Sequence, residues 1–133
     1  KDISTLQIGR AGYSVILNHQ GHTLDDTIVY PLAENRIALV VNAGMGQAVI
    51  QHMQSVASEN KAWQAITWHD LSGKIAKLDI QGPQAFKIFK PFVANSSAVF
   101  AKFPYFSFQG DFDFAQSQIH LTDGTPTLLS RTG

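Results

Sequence analysis

Two adjacent carboxylates, Asp25 and Asp26, stand near the start of an otherwise largely apolar run, Leu24 to Leu32. In an extended segment successive side chains point to opposite faces. Leu24, Asp26, Ile28 and Tyr30 then share one face, and Asp25, Thr27 and Val29 share the other. This parity sets Asp26 in an apolar row and Asp25 beside a polar residue. A carboxylate on a dry face has its charged form disfavoured by desolvation. Such a group is either satisfied by local backbone donors or placed for function, general acid–base work included. On this ground Asp26 is the leading candidate for chemistry.

The other residues that could do chemistry are less specific. Five histidines invite a metal reading. His19 and His22 flank a turn, His52 falls in a helical pattern, His69 precedes Asp70, and His120 lies in a strand pattern. None forms an HxxxH or HxH pair with a nearby carboxylate, so scattered surface histidines are the better reading and no metal is expected. Asn42-Ala43-Gly44-Met45-Gly46 lies between a strand and a helix, where phosphate-cradling loops occur. It has neither GxGxxG nor GK[ST], so it reads as a turn into the helix. All nine phenylalanines fall between positions 86 and 114. Phe at strand and helix periodicity is core more often than an aromatic wall for a flat ligand.

Composition narrows the function classes. The chain has 133 residues, 14.6 kDa, enough for one domain. It is 44% hydrophobic and 15% charged, which excludes a disordered chain. Ten Lys and Arg balance ten Asp and Glu, so neither a phosphate-neutralising nucleic-acid binder nor a polybasic membrane anchor is expected. With no Cys, disulfides, thiolate metal sites and Cys nucleophiles are excluded from this segment. No apolar run approaches the ~18 residues that would cross a bilayer. Lys1 rather than Met opens the chain, no signal-peptide pattern follows, and Leu128 to Gly133 ends it strand-like. The expectation is a piece of a longer protein.

The elements that must position the carboxylates follow from periodicity. Gly12 to Asn18, Leu24 to Leu32 and Arg36 to Asn42 read as three strands of an antiparallel meander, with turns at His19–His22 and Glu34-Asn35. From Gly46, Val49, Met53, Val56 and Ala57 recur at helical spacing up to Ser58-Glu59-Asn60. Ala65 to Asp70 and Lys74 to Gln81 read as further strands. Gly82-Pro83 opens a second helix with Phe86, Phe89 and Val93 as its apolar stripe. Phe106 to Phe114 alternates strictly, with Phe106, Phe108, Gly110, Phe112 and Phe114 on one parity, and so predicts a strand with one dry face. Ile119 to Leu121 and Thr127 to Ser130 close with a hairpin around Thr122–Thr125. The fold class expected is α+β, with antiparallel sheets and two helices.

At this point the residues resemble a family. Leu17 to Tyr30 (LNHQGHTLDDTIVY) is similar to the "LNxxGGxxDDxIVY" segment of the glycine-cleavage T-protein, or aminomethyltransferase, family. Val40 to Ala43 resembles its "VVNA", Ile75 to Ala85 its "ALLALQGPxA", Phe103 to Phe108 its "FPFFSF", and Ser130 to Gly133 the start of its "SRTGYTGE". The five matches fall in register across almost the whole chain. The resemblance implies the central piece of a tetrahydrofolate-binding domain, residues 1–133, with flanking parts missing. It implies transfer of an aminomethyl or methyl group to folate N5, in glycine cleavage or a related demethylation. Asp26 takes the position of the family acid beside the folate and is the implied catalytic residue. Asn42 matches an asparagine that contacts the folate, and Tyr13 sits where an aromatic borders the pterin.

The same resemblance implies folate and a one-carbon donor as partners, an aminomethyl-lipoyl carrier protein being one such donor, and a cytoplasmic location. Activity is expected of the intact parent, with the fragment alone inactive. There are departures: His22 replaces the second glycine of "GG", and the chain stops before the Tyr and Glu of "YTGE". Two alternatives stand beside the transferase. One is a folate-binding protein that supports iron–sulfur cluster maintenance. The other is a non-catalytic interaction fragment, whose sheet edges would favour self-association.

Overall fold

The computed structural model describes residues 2–132, so Lys1 and the last residue of the Ser130–Gly133 motif lie outside the described residues. Eight regular elements form an α+β architecture: β1 (Gly12–Leu17), β2 (Thr23–Ala33), β3 (Arg36–Val41), α1 (Gly46–Ser58), α2 (Ala85–Phe89), α3 (Ser96–Val99), β4 (Ser107–Gln109) and β5 (Leu129–Arg131). Short 3-10 turns sit at Ile3–Thr5, Lys61–Trp63 and Lys90–Phe92. β1, β2 and β3 form one sheet in that order, and β4 pairs antiparallel with β5, Phe108 opposite Ser130. Tyr13–Ile28 with Leu39–Lys77 make one compact unit, and the other described residues make a second.

The first unit carries the β1–β2 turn and α1. The Asn18 carboxamide oxygen accepts from the Gln20 and His22 backbone N–H groups at 3.0 and 2.9 Å, and Asn18 N–H donates to the His22 carbonyl at 2.9 Å. An Asn that binds the backbone two residues on is turn chemistry, and it sets the hairpin here. α1 follows the expected stripe, burying Val49 and Ala57. Its His52 Nε2 donates to the Leu17 carbonyl at 2.9 Å, fastening the helix to the end of β1.

In the second unit Val93, Val99, Ile119 and Leu129 form a buried cluster, with Phe89, Phe100, Phe103 and Leu121 packed on it. These three phenylalanines are core, as their periodicity suggested, whereas Phe86 and Phe92 stay more than half exposed. Tyr30 packs edge-on against the rings of both Phe108 and Phe112, at 5.3 and 5.6 Å.

Several expectations fail. The terminal hairpin is reduced to a single His120–Pro126 bridge, and Leu129–Arg131 pairs with β4 instead. Neither Ala65–Asp70 nor Lys74–Gln81 forms a strand. A strand exists only with a ladder partner. Ile66 N–H instead bonds back to the Trp63 carbonyl, the Asp70 carboxylate closes a turn on Ser72 N–H, and Leu78 is 88% exposed. The second helix is cut to Ala85–Phe89 because Pro91 lacks the N–H the helix needs and drives the chain into a 3-10 turn. The Phe106–Phe114 strand shrinks to Ser107–Gln109. Phe106 sits at φ +53, its N–H bonded to the Arg131 carbonyl and its own carbonyl to Ala11 N–H, so two separate segments hold it in that conformation. Beyond Gly110, the carboxylates of Asp111 and Asp113 accept from the backbone N–H groups of Asp113 and Ala115 and turn the chain out of the ladder.

Candidate functional site

β1, β2 and the residue after β3 converge on one polar cluster, contained in the first unit. Tyr13 Oη donates to Asp26 Oδ2 at 2.9 Å. Asn42 Nδ2 donates to Asp26 Oδ1 at 2.6 Å and to Asp25 Oδ1 at 2.7 Å. Asn42 backbone N–H donates to Asp25 Oδ2 at 3.0 Å. Of the three residues singled out in the sequence, Asp26 therefore touches both Tyr13 and Asn42, and Asp25 joins the cluster through Asn42.

Strand parity predicts Asp26 on the dry face, and the structure buries Asp25 instead. Asp25 is 7% exposed and shares its buried face with Thr27 and Val29, while Asp26 is half-buried. The reason lies across the sheet. Thr27 Oγ1 donates to the Val40 carbonyl at 3.0 Å, and Asp25 takes the Asn42 N–H. Polar groups on this face bury because the adjoining strand satisfies them. Counting apolar neighbours along one strand could not show that. Asp26 lies in the row of Leu24 and Ile28, which is only partly covered, and Tyr13 beside it is 52% exposed.

The electrostatics match this geometry. Hydrogen bonds from the Asn42 side chain, ahead of the opposing effect of burial, hold the Asp25 carboxyl below the usual aspartate range. The Tyr13 phenol is pushed above its ordinary value, chiefly because its proton is bonded to the Asp26 carboxylate. A carboxylate accepts about four hydrogen bonds, so Asp26, with one partner on each oxygen, keeps acceptor capacity for a ligand. Asp25, with both oxygens engaged on a buried face, is committed to the protein.

The loop that delivers Asn42 is a turn. Met45 N–H bonds to the Asn42 carbonyl at 3.0 Å, and Gly44 takes φ +83, a conformation that favours glycine. Among the described residues no group of three His, Asp or Glu side chains is placed to hold a metal ion. His19 packs edge-on to His52 with ring centres 5.6 Å apart, and its Nε2 lies 3.8 Å from Glu59, both of that pair well exposed. Sequence reasoning missed the role of Asp25 and the His52 tie. A hollow of about 270 Å³ lies elsewhere in this unit, lined by Gln54, Ala57, Trp63 and Trp68 among others, and none of the four clustered residues borders it.

The family model of the GCVT N-terminal domain matches residues 1–132. The chain belongs to that family. Similar curated proteins are the aminomethyltransferases of Bacillus cytotoxicus, 32% identical over 133 residues, and of Bacillus cereus strain AH187, 31% identical over 132. Each alignment takes in 99% of this chain and 32% of the relative, so the chain spans about a third of those proteins' length. The resemblance read from the sequence is thus shown at the level of the family, and the parent family is enzymatic. No helix among the described residues is long and apolar enough to cross a membrane.

Proposed function

We propose that this chain is a central piece of a tetrahydrofolate-binding domain, and that the intact parent is a one-carbon transferase of the aminomethyltransferase type. One observation carries the reading. The Asp26 carboxylate, half-buried and gripped by Tyr13 and Asn42, keeps acceptor sites for a ligand rich in N–H donors. The pterin edge of tetrahydrofolate offers such donors, so the residues present fit the group. When bound, tetrahydrofolate supplies the nitrogen that carries the one-carbon unit.

The protein's part is positioning and proton handling. Tyr13 and Asn42 fix the plane of the Asp26 carboxylate, so that its oxygens meet the amine groups of the pterin in one orientation. Asp26 Oδ then accepts or relays the proton displaced during transfer, help of a kind worth about 10²–10⁴-fold in rate. The one-carbon donor is an amine or thioether, an aminomethyl-lipoyl carrier protein in the glycine-cleavage version. A cytoplasmic location goes with that reading.

The test is a nuclear magnetic resonance titration of the chain with tetrahydrofolate. Shift changes centred on Tyr13, Asp26 and Asn42 are expected, and Asp26→Asn should weaken binding about tenfold or more, the loss of a charge-assisted hydrogen bond. Unchanged affinity in that variant, or no perturbation at these three residues in the wild type, overturns the reading.

A further inference from the structure

The geometry points to Asp25 as a positioning residue that fixes which way round the Asn42 carboxamide stands, and thereby makes the Asp26 site an edge of acceptors only. The inference rests on the folate reading for the identity of the ligand, but not for the device itself. A primary amide has one donor end and one acceptor end, and turning it over exchanges them. Asn42 Nδ2 lies within hydrogen-bond distance of two carboxylates, Asp25 at 2.7 Å and Asp26 at 2.6 Å. Each of its two protons thus has a carboxylate to meet. Turned over, the amide would set its oxygen against both anions, a repulsive arrangement.

Asp26 alone could not enforce this, because it is half-buried and a ligand competes for its lone pairs. Asp25 can. It is 7% exposed, and its second oxygen is tied to the Asn42 backbone N–H at 3.0 Å, so the carboxylate grips both ends of the same residue. Two hydrogen bonds to one residue leave the Asp25 side chain no freedom to follow a ligand. The Asn42 side-chain oxygen, Oδ1, takes no donor among the described residues, whereas the Asn42 backbone carbonyl holds the Met45 N–H. Oδ1 is left as an acceptor beside the acceptors of Asp26. The site so built selects a ligand edge of N–H donors, as in a 2-amino-4-oxo pyrimidine ring, over one in which a carbonyl replaces the amino group.

Two measurements separate the device from the folate reading. In the free chain, both Asn42 side-chain protons should resonate downfield of ordinary asparagine, with slowed rotation of the amide. In Asp25→Asn, which puts a second amide where two acceptors are needed, those resonances should move to ordinary positions while the shifts of α1 stay put. Averaged Asn42 protons in the wild type, or unchanged ones in Asp25→Asn, overturn the inference. Should Asp25→Asn fail to fold, Asn42→Ala gives the same information from the other side. The Asp25 carboxyl titration must then rise, and a fixed titration overturns the inference.

Selectivity is read with 6-methyltetrahydropterin and its 2-oxo counterpart. Wild type should prefer the pterin about tenfold, one hydrogen bond's worth, and Asp25→Asn should narrow the gap to about threefold or less. A gap that persists in the variant overturns the selectivity. Locked Asn42 protons in a chain that binds neither probe would sink the folate reading and leave the positioning role standing.

Discussion

Replacing Gly110 by alanine should be the most damaging single-methyl change in this fold. Gly110 follows β4 at φ +94, where an L side chain is strained by about 1–2 kcal/mol. An added Cβ would also overlap the Thr127 carbonyl oxygen and come within 3.0 Å of Leu128 Cα and 2.9 Å of Ser117 Oγ. Two of those three neighbours are backbone, so the segment leading into β5 must move, and overpacking of this kind costs about 1–3 kcal/mol more. The sum, about 2–5 kcal/mol, is a large share of the ~5–15 kcal/mol that holds a domain together. For a chain of this length each kcal/mol moves the melting temperature by about 3–5 °C, so Gly110→Ala should melt about 6–25 °C early. Gly44→Ala is the internal control. Its φ of +83 carries the same strain, but nothing lies within 4 Å of the added carbon. It should lose about 3–10 °C, from the strain alone. Circular dichroism melts of the two variants decide it. Equal losses, or a Gly110→Ala loss below about 3 °C, would refute the claim that close approach to Thr127 and Leu128, added to φ, dictates glycine at 110.

Further expectations concern the carboxylate cluster and the acid limb. Tyr13→Phe removes one neutral donor from Asp26 and should weaken tetrahydrofolate binding about 2–10-fold, with the melting temperature nearly unchanged. The Tyr13 phenol, held protonated by Asp26, should titrate above the ordinary tyrosine range in spectra of ring-labelled protein. Asp26→Asn should erase most of that offset. Asp123 is held below the usual range by the Thr125 N–H bond at 2.9 Å, as Asp25 is by Asn42. A depressed folded-state value means stabilisation that is complete above the unfolded aspartate value, about 3.9, and is lost as pH falls through the folded one. Urea midpoints followed downward from about pH 5 should therefore decline less steeply in Asp123→Ala than in wild type, and a parallel decline would contradict the assignment.

What the sequence makes legible is what lies close in the chain and repeats. β1, β2, β3 and α1 appear within a residue or two of their expected limits, because His19–His22 and Glu34-Asn35 mark tight turns and the stripe Val49–Ala57 has helical period. The Phe106–Phe114 run misleads for a physical reason. Its alternation is real, but Phe106 is held at φ +53 by bonds to Ala11 and Arg131, residues far away in the chain. Likewise Ala65–Asp70 and Lys74–Gln81 have strand composition but belong to none of the described strands, and composition alone does not make a ladder. The residues named for the site do meet around Asp26, since Tyr13 and Asp26 lie on adjoining strands joined by the five residues 18–22 and Asn42 directly follows the next strand. Which acid is buried depended instead on what β3 offers across the sheet.

That inversion changes the division of labour between two identical side chains. Had Asp26 been the buried member, its charge would have been spent on the fold, and a ligand could reach it only by displacing a backbone partner. Instead the buried acid, Asp25, binds the amide and backbone of Asn42, and the half-buried one keeps its lone pairs. Adjacent like charges repel, and the arrangement is tolerable because one amide bridges both and a phenol caps the outer one. Each donor removed should therefore be felt at both acids. Double substitution of Tyr13 and Asn42 ought to weaken ligand binding by more or less than the sum of the single effects, because all four groups share one network. Strict additivity between them would mean that the two contacts on Asp26 act independently, and the cluster would then be a set of pairs with no coupling to exploit.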